Sequence, residues 1–537
     1  MNQHLAIVPI LLPLLAGALM VAMNEQHRVA KAAIGLASTV TLLVVACLLL
    51  GRAAQAGTAP AIVYRVGDWP AQFGIVLVVD RLAALMLTIT GAVGLAALLY
   101  ALAAWHRAGA HFQALVQFQL MGINGAFLTG DLFNLFVFFE VMLAASYGLA
   151  LHGSGTVRVR AGLHYVVVNL AASLLFLIGA SLIYGAAGTL NMADLAARVP
   201  GLAADDRTLL EAGAAILGTA FLIKAGMWPL GFWLPTTYAA AAAPAAALLS
   251  VLSKVGIYAV LRLWLLLFGA GAGASAGFGA PWLLWGGLAT IAYGTVSVLA
   301  AQDTARLAGA SVLVSSGTLL AAIATGQPAV TAGALFYLLS AVPAIGALFL
   351  LVELIERGRD AGAGVLAVTL EAYGGGAPDD AIEGAEGEAV GFAVPGTMTL
   401  LGASFVACAL LIAGLPPLSG FLGKFAILGP MFGLADGLIA PTAWVVLGAV
   451  VLSGLATVIA MVRTGVNVFW VSFGAPARVR LIELVPVLFL LLICVGLTVA
   501  AAPVERYARA AAAALHAPQG YIGGVLAPVP GAKGAGA

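Results

Sequence analysis

Apolar runs of roughly 20 residues, the length needed to cross about 30 Å of hydrocarbon as a helix, recur from one end of the chain to the other. There are about fourteen, near 5–23, 30–50, 78–104, 111–129, 131–151, 162–186, 208–228, 243–268, 281–301, 308–324, 330–355, 396–415, 441–465 and 484–503. Each reads as a helix, because a segment surrounded by lipid must satisfy its own backbone polar groups. The first run has no basic segment ahead of it and no convincing cleavage site, so it reads as a spanning helix and not a signal peptide. The pattern predicts an all-α integral membrane protein.

Composition agrees and removes some function classes. With 63% hydrophobic and 8% charged residues, the chain lacks the polar surface a soluble globule needs. Its 23 basic and 22 acidic side chains are thinly spread, and no basic tract offers itself to nucleic acid. Cys47, Cys408 and Cys494 sit far apart in apolar runs and read as small buried hydrophobes. The seven histidines fall in or near loops, termini or turns and are expected to be interfacial and solvated.

With both termini outside, the cytoplasmic connections carry Arg28, Lys31, Arg107, Arg158, Arg160, Arg306, Arg357, Arg359, Arg463, Arg478 and Arg480. The opposite connections carry Arg52, Arg65, Arg81, Arg198, Arg207 and Arg262, a modest positive-inside bias. Residues 360–392, rich in Gly, Ala and acidic side chains, read as a flexible cytoplasmic linker, and the tail 511–537 as disordered.

Four charges stand where the bilayer penalises them. Glu140 lies near the middle of the run from Leu132 to Leu151, about 14 Å from either end, too deep to snorkel. An acidic group at that depth costs about 2.5–3.5 kcal/mol and must face the bundle interior. Lys254 sits in another apolar run. Lys224 stands one turn before Trp228-Pro229, where the missing backbone donor interrupts a helix, and Lys424 follows the break at Pro416-Pro417. Interrupted helices expose backbone groups that hold water and ions, and a lysine in a low-dielectric site releases its proton as a neighbouring charge moves. Buried titratable groups beside broken helices suit a proton relay. No cysteine cluster, nucleotide loop or haem-type histidine pair is found, so no cofactor or metal is expected.

Around these charges the chain resembles the antiporter-like subunits shared by respiratory complex I, membrane-bound hydrogenases and Mrp-type multisubunit sodium/proton antiporters. The matching runs are Thr129 to Glu140, Lys224 to Leu230 with Trp233-Leu234-Pro235, Ser253 to Tyr258, and Gly414 to Phe425. The resemblance covers roughly residues 80 to 500. It implies fourteen helices with discontinuous seventh and twelfth members, broken at Pro229, Pro235, Pro416 and Pro417, and two five-helix inverted repeats. On that plan residues 1–107 hold three N-terminal helices, 108–268 the first repeat, 281–466 the second and 467–510 the last helix. It also implies that Glu140 and Lys224 couple, that Lys254 carries protons along a central axis, and that Lys424 links to the opposite half-channel. Asp131, Tyr238 and Asp303 are expected as supporting polar groups, Tyr238 or its neighbours taking the place of a histidine that the complex I members carry near the break of the seventh helix.

The eleventh helix has no ionisable group at Ser340, Ala341 or Ile345, and Asp303-Thr304-Ala305-Arg306 lacks a lysine of the family signature. These departures favour the D-type member of the Mrp antiporters. The expected function is ion translocation in a multisubunit Na+/proton antiporter of a prokaryotic plasma membrane, with other hydrophobic subunits as partners. A proton-pumping member of complex I or a hydrogenase is the first alternative, and a non-conducting structural member of such a complex the second.

Overall fold

The computed structural model describes residues 3–72, 74–105, 109, 111–372, 396–433, 440–469 and 479–528, with the backbone alone over 358–372. Arg107, Arg478 and most of the acidic linker lie outside them. The helices run in order as α1 (Val8–Ala22), α2 (Arg28–Gln55), α3 (Arg81–Ala101), α4 (Phe112–Leu128), α5 (Leu132–Ala150), α6 (Thr156–Ala187) and α7 (Met192–Arg198). There follow α8 (Ala204–Ala225), α9 (Trp233–Ala240), α10 (Ala243–Phe268), α11 (Ala280–Ala300), α12 (Thr304–Ala324) and α13 (Pro328–Ala372). The last are α14 (Gly396–Ala413), α15 (Ser419–Met431), α16 (Pro441–Phe469), α17 (Leu481–Val499), α18 (Ala501–His516) and α19 (Gln519–Leu526). Between α2 and α3 an antiparallel hairpin pairs β1 (Ile62–Arg65) with β2 (Val76–Val79), Ile62 opposite Val79 and Arg65 opposite Val76. Hydropathy alone merged the second strand with the helix after it, but Asp80 caps α3 by accepting the Ala83 N–H and separates the two.

Among the described residues, 12 helices are long and apolar enough to cross a membrane. The remaining two expected positions are filled by α1, which is shorter, and α4, whose apolar run is interrupted by Gln113, Gln117, Gln119 and Asn124. Helices α10, α12 and α13 are buried on every side, whereas α2, α6, α11, α14, α16 and α17 keep an outward face. That face is itself apolar: on α6 it shows Leu163, Val167, Leu170 and Leu174, one stripe at helical spacing. Cys47 also lies on an outward face, contrary to its expected burial, while Cys408 and Cys494 are buried.

Both expected interruptions are present and locally alike. Helix α8 ends at Gly226 (φ +77°) and α14 at Gly414 (φ +76°), left-handed positions that favour glycine. In each case the next N–H reaches back to a carbonyl five residues earlier, Met227 to Leu222 and Leu415 to Leu410, both at 3.0 Å. A cis X–Pro bond follows at the same spacing in each, at Trp228-Pro229 and Pro416-Pro417. Pro235 is not part of a break. It occupies the third position of α9, where its missing N–H has no intrahelical acceptor to lose.

The chain is ordered beyond the point where its composition suggests disorder. Helix α18 buries Ala508, Ala511, Ala512 and Leu515 on one face, and α19 buries Tyr521 and Val525. Arg65 of the hairpin donates to the carbonyls of Val525 (2.9 Å) and Ala527 (2.7 Å), fastening this end to the bundle. Helix α13 likewise continues to Ala372, into the segment expected to be a flexible linker.

Candidate ion-translocation site

Glu140 sits at mid-length on α5, and the hydroxyl of Ser173 on α6 donates to its Oε1. Lys224, in the last turn of α8, is 4% exposed, and its Nζ has no hydrogen-bond partner among the described residues. The ammonium instead stands 5.2 Å from the ring centroid of Phe139, the neighbour of Glu140 on α5. No direct Glu140–Lys224 ion pair within 4.0 Å forms, yet the carboxylate is near enough to act electrostatically on the lysine. Aromatic packing holds this region, with Phe139 and Phe176 both against Phe221 of α8.

Helix α8 reaches α10 through Gly256. A Cβ there would lie 2.7 Å from the Ala225 nitrogen and 2.8 Å from the Phe221 carbonyl oxygen, so only glycine permits this approach. The contact brings the end of α8, carrying Lys224, onto the part of α10 that carries Lys254. Lys254 is 1% exposed and donates to the Ser316 hydroxyl of α12 at 3.1 Å. From α12 the buried polar positions continue to α13, where Tyr337 is itself buried; Ser315 Oγ of α12 has no hydrogen-bond partner among the described residues. Tyr337 in turn packs against α15 at Gly423, and Ser340 of α13 pairs with Ser419 of α15 at 2.8 Å.

Lys424, beside Gly423, donates to the carbonyls of Ile412 (3.2 Å) and Ala413 (2.7 Å), the last two residues of α14. Carbonyls at a helix C-terminus lack intrahelical donors and carry the negative end of the helix dipole, so an ammonium suits them. The four expected residues thus fall on neighbouring elements from α5 to α15. Ser173, Ser316 and Tyr337 lie among them and were not singled out from sequence. Hydroxyls are common in membrane helices, and only the packing shows which of them face the charges.

The three supporting groups take other roles. Asp131 caps α5 through the Asn134 N–H (2.9 Å), and Asp303 caps α12 through the Arg306 N–H (2.7 Å). Tyr238 is buried in α9, its ring edge-on to Trp233 and Phe349 and its hydroxyl without a partner among the described residues.

Two further charge clusters were misplaced by sequence reading. Arg262 is not in a connection: it is buried in α10, two turns from Lys254, and holds both oxygens of Asp80 while stacking on Tyr258 and Tyr521. Burial would raise the Asp80 carboxyl, but the charge and hydrogen bonds of Arg262 bring it below the usual carboxylate range. At the other end of the bundle, Arg158 donates to the Ala240 carbonyl that ends α9 (2.8 Å) and lies over Trp105. Trp105 donates to Glu353 (2.7 Å), which pairs with Arg357, and Arg357 pairs with Glu483 (both 2.7 Å). His152 is buried in this network and not solvated: its Nε2 lies 3.0 Å from the Trp105 carbonyl. Desolvation, with the nearby Arg158 charge, lowers its proton affinity below the ordinary value.

Residues 129–367 match the family model described as NADH:quinone oxidoreductase/Mrp antiporter, transmembrane. The chain is 58% identical over 96% of its length, and 96% of the relative's, to the D subunit of a probable K+/H+ antiporter of Rhizobium meliloti. It is 34% identical, over 98% of this chain and 99% of the other, to the D subunit of the Na+/H+ antiporter of Alkalihalophilus pseudofirmus. A chain in the structure of the Mrp complex from Dietzia sp. superimposes with a TM-score of 0.80 at 26% identity, covering 98% of this chain and 99% of that one. The arrangement of charges at two broken helices and these full-length similarities agree: the chain belongs to the family of Mrp-type antiporter D subunits.

Proposed function

We propose that this chain is the proton-translocating subunit of a multisubunit monovalent cation/proton antiporter in a bacterial plasma membrane. Protons move between Glu140, Lys224, Lys254 and Lys424, with Ser316 and Tyr337 along the way. The observation that carries this reading is the burial of three lysines, on α8 and α10 in contact and on α15 reached from α10 through α13, each with a neutral direct partner in place of a fixed carboxylate. Such lysines have no permanent counter-charge to hold their protons, which suits transfer better than scaffolding. The same glycine-ended break, with the next N–H reaching five residues back in each, at α8–α9 and α14–α15 supports the division into two inverted repeats, 108–268 and 281–466.

The relatives differ in their stated cation, K+ in the 58% identical protein and Na+ in the 34% identical one. The greater identity favours K+ over the Na+ expected from sequence. The test is to express the chain with its companion subunits in cells lacking cation/proton antiporters. Dissipation of a pH gradient in everted vesicles is then followed on addition of KCl or NaCl. Equal inactivity with both salts in an assembled complex overturns the antiporter reading. Co-purification with iron–sulfur or flavin subunits would place the chain in a redox-driven pump instead.

A further inference from the structure

Lys254, Tyr258 and Arg262 recur at every fourth residue and therefore share one face of α10. Along that face each is held by a different neighbour. Lys254 donates to Ser316 of α12 (3.1 Å), and Tyr258 donates to the Phe127 carbonyl in the last turn of α4 (2.6 Å). Arg262 donates back to the Tyr258 hydroxyl through Nε (3.3 Å) and Nη2 (3.2 Å), and forward to both oxygens of Asp80. Asp80 is also the N-cap of α3, accepting the Ala83 N–H. About 12 Å of one helix face thus separates the middle lysine from a buried ion pair that the relay does not use.

The pair is largely closed off from water. The Arg262 and Asp80 side chains are 7% and 17% exposed, and the rings of Tyr258 and Tyr521 lie against the guanidinium at 5.4 and 5.3 Å. In such surroundings the two charges cancel at a distance while both are present, and the arginine cannot give up its proton. Loss of the carboxylate leaves a fixed positive charge on the face that carries Lys254, where salt screens it little. The other ionisable groups that elements packed against α10 carry into the bundle are Glu140 of α5, Lys224 of α8, Tyr238 of α9 and Tyr337 of α13. Near the pair stand Arg81 of α3, Tyr507 of α18 and Tyr521 of α19, and α7 adds Asp194 with Arg198. Tyr100 of α3 and Glu353 and Arg357 of α13 belong to the network at the opposite end. Helix α4 has no titratable residue, and α12 has Arg306 at its start, paired with Asp303. None of these groups changes when Asp80 is replaced, so their effects drop out of a comparison between variants.

We propose that the Asp80–Arg262 pair sets the pH at which Lys254 passes protons, Asp80 keeping Arg262 from acting on the lysine as an unmatched charge. This role presupposes that Lys254 is a relay group, as proposed above, and Asp80 and Arg262 are positioning residues that act through it.

Asp80→Asn is the informative change, because Asn caps a helix as well as Asp does and removes the charge alone. The complete complex, with each variant checked for assembly, is reconstituted in vesicles, and the initial rate of cation-driven proton movement is followed against pH. With an unmatched charge about 12 Å away and an effective dielectric constant of about 20, the pH–rate profile of Asp80→Asn moves to lower pH by about 0.5 to 1 unit. Asp80→Asn combined with Arg262→Gln carries no net charge at the pair, and its profile returns to that of the wild type. Damage to packing alone would leave the double variant at least as altered as the single one. Should Asp80→Asn fail to assemble, Arg262→Gln is measured in its place; it leaves Asp80 unmatched and moves the profile to higher pH. An unshifted profile in the single variant, or a double variant displaced as far as the single one, overturns the proposal. Lys254→Arg is measured alongside: full activity there overturns the relay itself, whereas an inactive Lys254→Arg beside an unshifted Asp80→Asn overturns the role of the pair and leaves the relay standing.

Discussion

The ammonium of Lys224 rests over the ring of Phe139, 5.2 Å from its centroid, while the carboxylate of the next residue, Glu140, is turned to Ser173. Two opposite charges on contacting helices are therefore each held by a partner other than the other charge. The cation is kept by an aromatic face and the anion by a hydroxyl. A relay uses such a geometry, because forming and breaking the pair alters how firmly Lys224 keeps its proton.

Substitutions that keep charge but change titration separate this role from packing. Lys224→Arg keeps a positive charge that cannot be released at workable pH, and is expected to abolish cation-driven proton movement in an assembled complex. Glu140→Asp keeps a titrating carboxylate on a shorter arm and retains partial transport, whereas Glu140→Ala and Lys224→Ala are inactive. Vesicle transport is measured beside native-gel assembly for each variant. A fully active Lys224→Arg complex would mean that the position needs only fixed charge.

Ser173→Ala removes the hydroxyl that holds Glu140. A hydrogen bond to a charged group is worth about 1.5–3 kcal/mol, so transport changes by roughly 10- to 100-fold if the bond matters in turnover. Expression and assembly stay normal, since Ser173 is small and its loss leaves a cavity of one hydroxyl. Transport at the wild-type rate would show that Ser173 only packs.

Lys424→Met strands the Ile412 and Ala413 carbonyls at the end of α14. The expected cost is about 1–3 kcal/mol for a buried acceptor left unpaired, read as a lowered midpoint of thermal unfolding of the purified complex. Transport is lost in the same variant. A variant as stable as wild type would show that water replaces the ammonium at no cost.

His152 gives a pH dependence with a definite sign. Its folded-state proton affinity is lowered, by desolvation first and by Arg158 next. The neutral ring is therefore favoured in the fold, and the contribution to stability is full above the unfolded value of about 6.5. It is lost as pH falls from there through the lower folded value. Thermal unfolding between pH 7.5 and about pH 5 should show this fall, and His152→Gln should flatten it. An identical slope in the variant would assign the effect to another group.

The helices and the four central charges were legible because hydropathy is averaged over many residues and a lone lysine in an apolar run contradicts its surroundings. What could not be read depends on which helices are neighbours. Ser316 is one of several hydroxyls on α12, and only the approach of α10 selects it for Lys254. The order of α18 was hidden by an Ala-rich composition, although Ala508, Ala511, Ala512 and Leu515 repeat at helical spacing. Arg262 and His152 were assigned to solvent by position, and their partners Asp80 and Trp105 are distant in sequence.

The two helix breaks are alike in backbone and unlike in mechanics. In α8 the lysine belongs to the helix that ends at the break and is bound to nothing across it among the described residues. In α15 the lysine belongs to the helix that begins after the break, and its ammonium grips the carbonyls on the far side. Bending the first joint would break no hydrogen bond of its lysine among the described residues. The second is bolted by its charge, so displacing Lys424 and loosening the joint are one event. On the proposed relay, deprotonating Lys424 would weaken its hold on the Ile412 and Ala413 carbonyls, so the second joint would behave as a latch where the first behaves as a hinge.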